Sequence, residues 1–470
     1  MSKIIFFTTA LSIALSTPIF AQNNGMGNQG GGSSSVAYSS GATLVIKSDG
    51  SYSDKTYTQT GSDYNVVKDT CATATLTNCT LTKTGATASS GDNSSFYGIN
   101  AALYVSKKGV LTMNGGSITT DADGANSAFC YNGGTLNLYN VTITNNATRS
   151  RGLHCTGGNG ATINAYNCNV TTKKATSSTI ATDRGGGTVY VNGGTYTANG
   201  AKCAIVYSTG DMTVKNITGY SNNESEGDIA DIEGNNSITI DSCNLTCSGT
   251  SRGVMLYQSG SGDADGYNPI MNISNSTITL TSSEAPFCEV PTAVDAYLTL
   301  DNVSITCPSS ILAYVHTNSS LSNTNAKYLN LTLKNGTYTG ALNADATGSI
   351  YVNIANNAIW EGSMDNANTA NVDTVVVNGT WIMDAASNVD VLIINSGATV
   401  YTNGYDLSYT KITNNGTLNT TSKNVTGIGT IKSETTVEND KVYTIDGRQV
   451  DSDDLQEGIY IKNGKKFIEE

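Results

Sequence analysis

Along most of the chain apolar and polar residues alternate in short runs, and each run is broken by Asn, Gly or Ser in one recurring six-residue form. The form is apolar, any residue, Asn/Gly/Ser, any residue, small polar, apolar. It reads LTNCTL at 76–81, MNGGSI at 113–118, LYNVTI at 138–143, AYNCNV at 165–170 and VNGGTY at 191–196. It returns as IDSCNL at 240–245, ISNSTI at 273–278, LDNVSI at 300–305 and LKNGTY at 333–338. Period-two alternation of apolar and β-branched residues predicts strands. Asn or Gly at the third position accepts the positive φ of a sharp bend. Each copy is therefore expected to be two short strands meeting at a corner.

The third-position residues Gly115, Asn140, Asn167, Gly193, Asn216, Ser242, Asn275, Asn302 and Asn335 follow at steps of 25, 27, 26, 23, 26, 33, 27 and 33. A unit of this length cannot bury its own apolar face, so successive units must stack and share an interior. The expected fold class is all-β: a parallel β-helix solenoid with coils of about 25 residues, the two longer steps marking insertions on one edge. Beyond Asn335, the bends Asn356, Asn378, Asn395 and Asn414 come at steps of 21, 22, 17 and 19, which predicts narrowing after about Gly348 to coils of about 20 residues. Trp360 and Trp381 stand one short repeat apart and read as stacked aromatics. Residues 86–96 read as a polar loop.

The ends differ from this body. Lys3, the apolar run 4–15, and then Pro18, Phe20 and Ala21 have the layout of a secretory signal peptide. The expected organisation is a signal peptide at 1–21, a flexible Gly/Asn/Ser leader at 22–35, the β-helix at 36–433 and a charged β tail at 434–470. No later segment approaches the roughly 20 apolar residues of a membrane span. With the signal removed, the expectation is a secreted chain, extracellular or on the outer cell surface, with no transmembrane segment.

Composition sharpens this in two ways. Charged residues are only 13% of the chain, which suits stacked sheets, where like charges one above another would repel. The net charge of −13 argues against nucleic acid or an anionic membrane as partner. Ten cysteines in an exported chain admit a disulfide framework. Against it, Cys79, Cys168 and Cys243 share the fourth place of the repeat, and Cys130 and Cys155 stand one coil apart, as buried packing residues would.

Aligning the coils places Asp183, Asp231 and Glu233 on one edge as candidate catalytic carboxylates. Asp231 and Glu233 are alternate residues of one strand, roughly 7 Å apart at the backbone. Arg184, Tyr207, Arg252 and Tyr257 fall on the same edge as candidate ligand-binding residues, with Arg151 near and His154 one coil from Asp183. The competing reading makes all of these solvated outward side chains. Asp263 and Asp265, followed by Gly266, echo part of a calcium loop but lack its bidentate Glu. No cofactor is therefore expected, with calcium the possible exception. Only two His are present, and no Gly-rich phosphate loop or Ser nucleophile motif occurs.

The segments YSTGDMTV (207–214), IEGNNSITI (232–240) and GVMLYQSGSGDADG (253–266) resemble secreted bacterial right-handed parallel β-helix proteins, pectin-lyase-like in fold and adhesin-like in description. The residue groups that mark pectate lyases and polygalacturonases are absent. VYTIDGRQV and EGIYIKNGKKFIEE resemble the C-terminal sorting tail of Bacteroidetes proteins exported by the type IX route, matching at Asp446, Gly447, Arg448, Gly458, Tyr460, Ile461, Gly464 and Lys465. The chain departs from that pattern by ending in Glu469-Glu470. The resemblance implies export and the β-helix fold.

The first functional expectation is a non-catalytic binding protein whose long Thr/Asn-rich face contacts carbohydrate or a partner surface. The alternative is a polysaccharide lyase or glycoside hydrolase at Asp183, Asp231 and Glu233. A third reading, ice or mineral binding, needs a regular outward threonine array. The TIT and TLT segments suggest one, and their irregular spacing opposes it.

Overall fold

The computed structural model describes residues 41–318, 321, 326–420, 442–444, 449–451, 455, 458–462 and 465–469. The expected signal peptide and leader, and Asp446, Gly447, Arg448 and Gly464 of the tail, lie outside these residues.

The chain winds into a parallel β-solenoid. A twelve-stranded parallel sheet runs from Gly41–Ile46 to Ala341–Ala344, and a 23-stranded sheet forms the other two sides. Each winding gives one strand to the first sheet and two to the second, on either side of the Asn/Gly bend. In Thr162–Thr172 and Thr188–Ala198 these two run through the bend as one continuous strand.

The bends stack in a column as the repeat predicts. Asn140, Asn167, Asn216, Ser242 and Asn302 all have positive φ, between 51° and 57°. The amide of each bend donates to the next winding, Asn140 N to Tyr166 O at 2.9 Å and Asn275 N to Asp301 O at 3.0 Å. Side chains add a second ladder, with Asn302 Nδ2 donating to Asn275 Oδ1 at 3.0 Å. The fourth position faces inward under the corner. At Gly194 an added Cβ would stand 1.9 Å from the Cys168 carbonyl oxygen, so no side chain fits there without moving the backbone.

Alternation fills the interior. Leu111, Leu136, Ile163, Val189, Met212, Ile238, Met271 and Leu298 pair in register across successive windings and are buried. Each such side chain contributes roughly 1.5–3 kcal/mol relative to exposure. The cysteines are free thiols, Cys71 exposed, Cys307 half-buried and the others buried. Cys130 and Cys155 are register partners, as their spacing suggests.

The outward residues of the second leg form two rows. Thr58, Thr82, Thr119, Thr144, Thr171, Thr197, Tyr220, Thr246, Thr279 and Thr306 stand one above the next. Two residues earlier on each strand a parallel row runs from Thr56 to Ser304 through Thr, Ser and Asn alone. The irregular spacing of these segments in sequence does not disturb the array, because the extra residues leave the winding in loops and the register closes over them.

Two features differ from expectation or refine it. Residues 86–96 are not wholly loop: Gly91–Tyr97 is an α-helix, its Ser90 cap accepting from Asn93 N at 3.2 Å and its end set by Gly98 at φ 66°. The narrowing has a clear cause. The first sheet stops at Ala344, and beyond it the windings have two sides, completed by a five-stranded sheet from Gly336–Thr339 to Thr417–Asn419. Trp360 and Trp381 fill that thinner interior with rings stacked at 5.1 Å. In the tail, Val442–Thr444, Gln449–Val450, Gly458–Lys462 and Lys465–Glu469 pair as a four-stranded antiparallel sheet. Among the described residues no helix is long and apolar enough to cross a membrane.

Candidate functional site

The outward face of the first sheet gathers most of the expected site residues. Its register sets Phe129, His154, Ala181, Tyr207, Asp231, Met255 and Glu289 in one row across successive windings. A neighbouring row holds Tyr131, Thr156 and Asp183 and, further along, Glu233 and Tyr257. Asp231 and Glu233 thus face the same side of the strand Gly227–Glu233.

These side chains are not solvated. Asp183, Asp231 and Glu233 are 3%, 7% and 1% exposed. The helix and the inserted loop after Tyr257 fold over them. Thr156 Oγ1 donates to Phe96 O at 2.8 Å and Arg151 Nη1 to Ser95 Oγ at 2.5 Å. Arg184 spans the gap, 3.9 Å above the Phe96 ring and 3.3 Å from Asp263 Oδ1.

Beneath this roof two polar clusters adjoin. In the first, Arg151 pairs with Asp183 Oδ2 at 3.1 Å, and His154 Nε2 lies 3.9 Å from the same oxygen. Burial, reinforced by the Arg151 charge, holds His154 well below the ordinary imidazole range, so it is neutral. Burial also raises the Asp183 carboxyl, with Arg151 opposing. Glu233 collects Tyr207 Oη at 3.4 Å, Tyr257 Oη at 3.1 Å, Ser259 N at 3.1 Å and the Ser259 hydroxyl.

In the second cluster, Arg252 bridges Asp228 at 3.4 Å and Glu289, and Glu289 also meets His316 Nε2 at 2.7 Å. Burial pushes Glu289 up, but the His316 hydrogen bond and the Arg252 charge bring it below the usual carboxylate range. Asp228 is pushed up to about 6 by burial against the pull of Arg252. Asp231, raised well above that range by burial and by neighbouring Asp228, has an Oδ1 with no hydrogen-bond partner.

Asp183, Tyr207, Asp231, Glu233 and Tyr257 therefore come together, with Arg184 in the roof and Arg252 in the adjoining network. Asp263 is engaged by Arg184, while the Asp265 carbonyl accepts from Asn235 N at 2.7 Å. Among the described residues no group of three or more His, Cys, Asp or Glu is placed to hold a metal ion. Asp228, Glu289 and His316 were not expected here. Ile229 and Ala230, consecutive and both interior, break the strict alternation that would have put Asp228 on the face opposite Asp231.

A second concavity, also unforeseen, lies on the outer face of the 23-stranded sheet. Tyr297, Asn330 and Tyr351 form one row there, and Asp295, Tyr328 and Ser349 the next. The tyrosines are 40%, 46% and 42% exposed for Tyr297, Tyr328 and Tyr351. Asp295 organises the floor, accepting from Tyr297 Oη at 2.8 Å and Asn330 Nδ2 at 2.5 Å. The hollow holds about 290 Å³ and is lined by Asp295, Tyr328, Asn330, Ser349, Tyr351, Val372 and Thr374, with Tyr297 outside its lining and tied to it through Asp295.

No family model, curated protein or solved structure matches the chain. Function therefore rests on these two places.

Beside the tyrosine shelf, Asp373 occupies an interior position in register with Ile350 and is buried. Its Oδ1 accepts from Ile350 N at 3.0 Å, while Oδ2 has no partner. Burial, with Asp365 and Asp390 near, pushes this carboxyl up to about 7.

Proposed function

We propose that the protein is an exported β-helix that binds carbohydrate on the tyrosine shelf without turning it over. The observation that carries this reading is the set of three exposed tyrosines around Asp295 and Asn330. Tyrosine offers an apolar ring face and a polar tip, which suits the apolar faces and hydroxyl edges of sugar rings. Tyr297 and Tyr351 stand two windings apart, roughly 10 Å, so an extended glycan along the solenoid axis meets both. Export follows from the signal-like start and the tail's likeness to type IX sorting tails, and the adhesin-like resemblance agrees with binding.

The test is retention of the full chain on immobilised plant, algal and host glycans. Tyr328→Ala with Tyr351→Ala is expected to weaken retention about tenfold or more, each ring being worth about 1 kcal/mol or more. No retention on any glycan, or retention indifferent to both changes, rejects the reading.

One observation favours the lyase or hydrolase alternative: Asp231 is a buried carboxyl whose protonated form is favoured by burial and by neighbouring Asp228, with one oxygen unclaimed, roughly 7 Å along the strand from Glu233. Under that reading Asp231 donates a proton to the leaving oxygen, and the Arg184–Asp263 bridge must part to admit substrate. Release of reducing or unsaturated ends that vanishes in Asp231→Ala or Glu233→Ala would establish it.

A further inference from the structure

We propose that the paired outward rows of the 23-stranded sheet, Thr56 to Ser304 and Thr58 to Thr306, form an ice-binding face.

The rows are continuous over ten windings, and the second is threonine at every position but Tyr220. Neither row contains a charged side chain, although the chain as a whole carries −13. A surface that met an ionic partner would carry the complementary charge. This one is matched to a neutral lattice.

The hydroxyls are unclaimed. Among the described residues the threonine side chains of both rows make no hydrogen bond to protein, whereas the bend asparagines beside them bond one another, as Asn302 does Asn275 at 3.0 Å. Their donors and acceptors face water. Threonine is also stiff at χ1, so methyl and hydroxyl are held in a repeating arrangement before contact, which lowers the ordering cost of adsorption.

The spacing selects the lattice. Neighbouring windings are about 4.7–4.9 Å apart, and alternate residues of one strand about 6.7 Å apart. In a tetrahedral water network with O–H···O bonds of about 2.75 Å, next-nearest oxygens lie about 4.5 Å apart and the layer repeat is about 7.3 Å. Both repeats of the face agree with those of ice to within about a tenth. Over nine steps the array extends for roughly 43 Å, and a mismatch of about 0.3 Å per winding keeps three or four adjacent windings in step with the lattice to within about 1 Å, so several weak contacts act together in each stretch.

The insertions leave this face clear. Between Asn244 and Thr277 the winding is longer than its neighbours, yet the two remain register partners. The added residues instead reach Arg184 on the first-sheet side, through Asp263.

The test uses the full chain and ice itself, reading thermal hysteresis and incorporation into a growing ice front. Wild type is expected to arrest ice growth and enter the ice. Thr144→Lys combined with Thr171→Lys, at outward positions in the middle of the array, should cut the hysteresis about tenfold, equivalent to about 1.4 kcal/mol of adsorption energy. Thr239→Lys, outward on the other leg of the same sheet, should leave it unchanged, and circular dichroism with a melting curve confirms that each variant is folded. Exclusion of wild type from ice overturns the proposal. So does an equal loss in Thr239→Lys, or an ice-inert chain that is retained on crystalline cellulose or chitin.

Discussion

Asp373→Asn separates the titration of one buried carboxyl from everything else in its surroundings. The native carboxyl titrates at about 7 because it is buried, while the unfolded chain releases the same proton near 3.8. Between these values the folded state holds a proton that the unfolded state has lost, so stability falls as pH rises through the window and levels off above it. A gap of roughly 3 units at 1.36 kcal/mol each amounts to about 4 kcal/mol. Asparagine keeps an oxygen for Ile350 N and does not titrate. Its unpaired amide carries a fixed cost of about 1–3 kcal/mol, the same at every pH. The expected result is that the stability difference, variant minus wild type, becomes more favourable to the variant by about 4 kcal/mol between pH 4 and pH 8. Urea unfolding followed by tryptophan emission is the suitable assay, because the strand holding Asp373 lies between Trp360 and Trp381 in the chain. A repeat fold can also lose its windings in segments. A difference that stays constant from pH 4 to pH 8, with equal denaturant slopes, would refute the argument.

Three further outcomes are expected. Asn302→Ala should lower the melting temperature, since a side chain at φ 55° costs about 1–2 kcal/mol outside Gly and Asn, whereas Asn302→Gly should lose only the side-chain rung to Asn275. Arg252→Leu should cost roughly 3–5 kcal/mol by stranding Asp228 and Glu289. That loss should be larger at pH 8 than at pH 5, where the stranded carboxyls can protonate, and a pH series of melting curves reads it. In native protein a thiol reagent should label Cys71 first, with the buried thiols, Cys203 raised to about 11 and Cys247 to about 12 among them, reacting only on unfolding.

The bend column was legible in the sequence because a positive φ restricts one position to Asn, Gly or Ser, and stacking repeats that restriction at every winding. The meeting of Asp183, Asp231 and Glu233 was legible for the same reason, being a matter of counting windings. Their burial was not. It depends on a seven-residue helix too short to leave a helical period, and on Arg184 reaching a loop 79 residues away in the chain. Asp228 was hidden by two successive interior residues, and Glu289 by the insertion that delays it after Met255. The threonine rows are masked in the sequence because distance along the chain counts loop residues while register does not. The tyrosine shelf is not legible in the sequence because its rings alternate between two rows, so no single repeat position marks them.

The first sheet ends part-way along the body instead of at the solenoid's tip. Its last strand, Ala341–Ala344, meets a single bridge from Leu342 to Met364. Leu342 N donates to Ser363 O at 2.9 Å, and its carbonyl accepts from Asp365 N at 2.8 Å. An open parallel strand is a template on which another molecule can add and then propagate. Here the terminal rung is sealed from within by a non-strand segment of the next winding, and this closure opposes end-to-end polymerisation from that end of the twelve-stranded sheet.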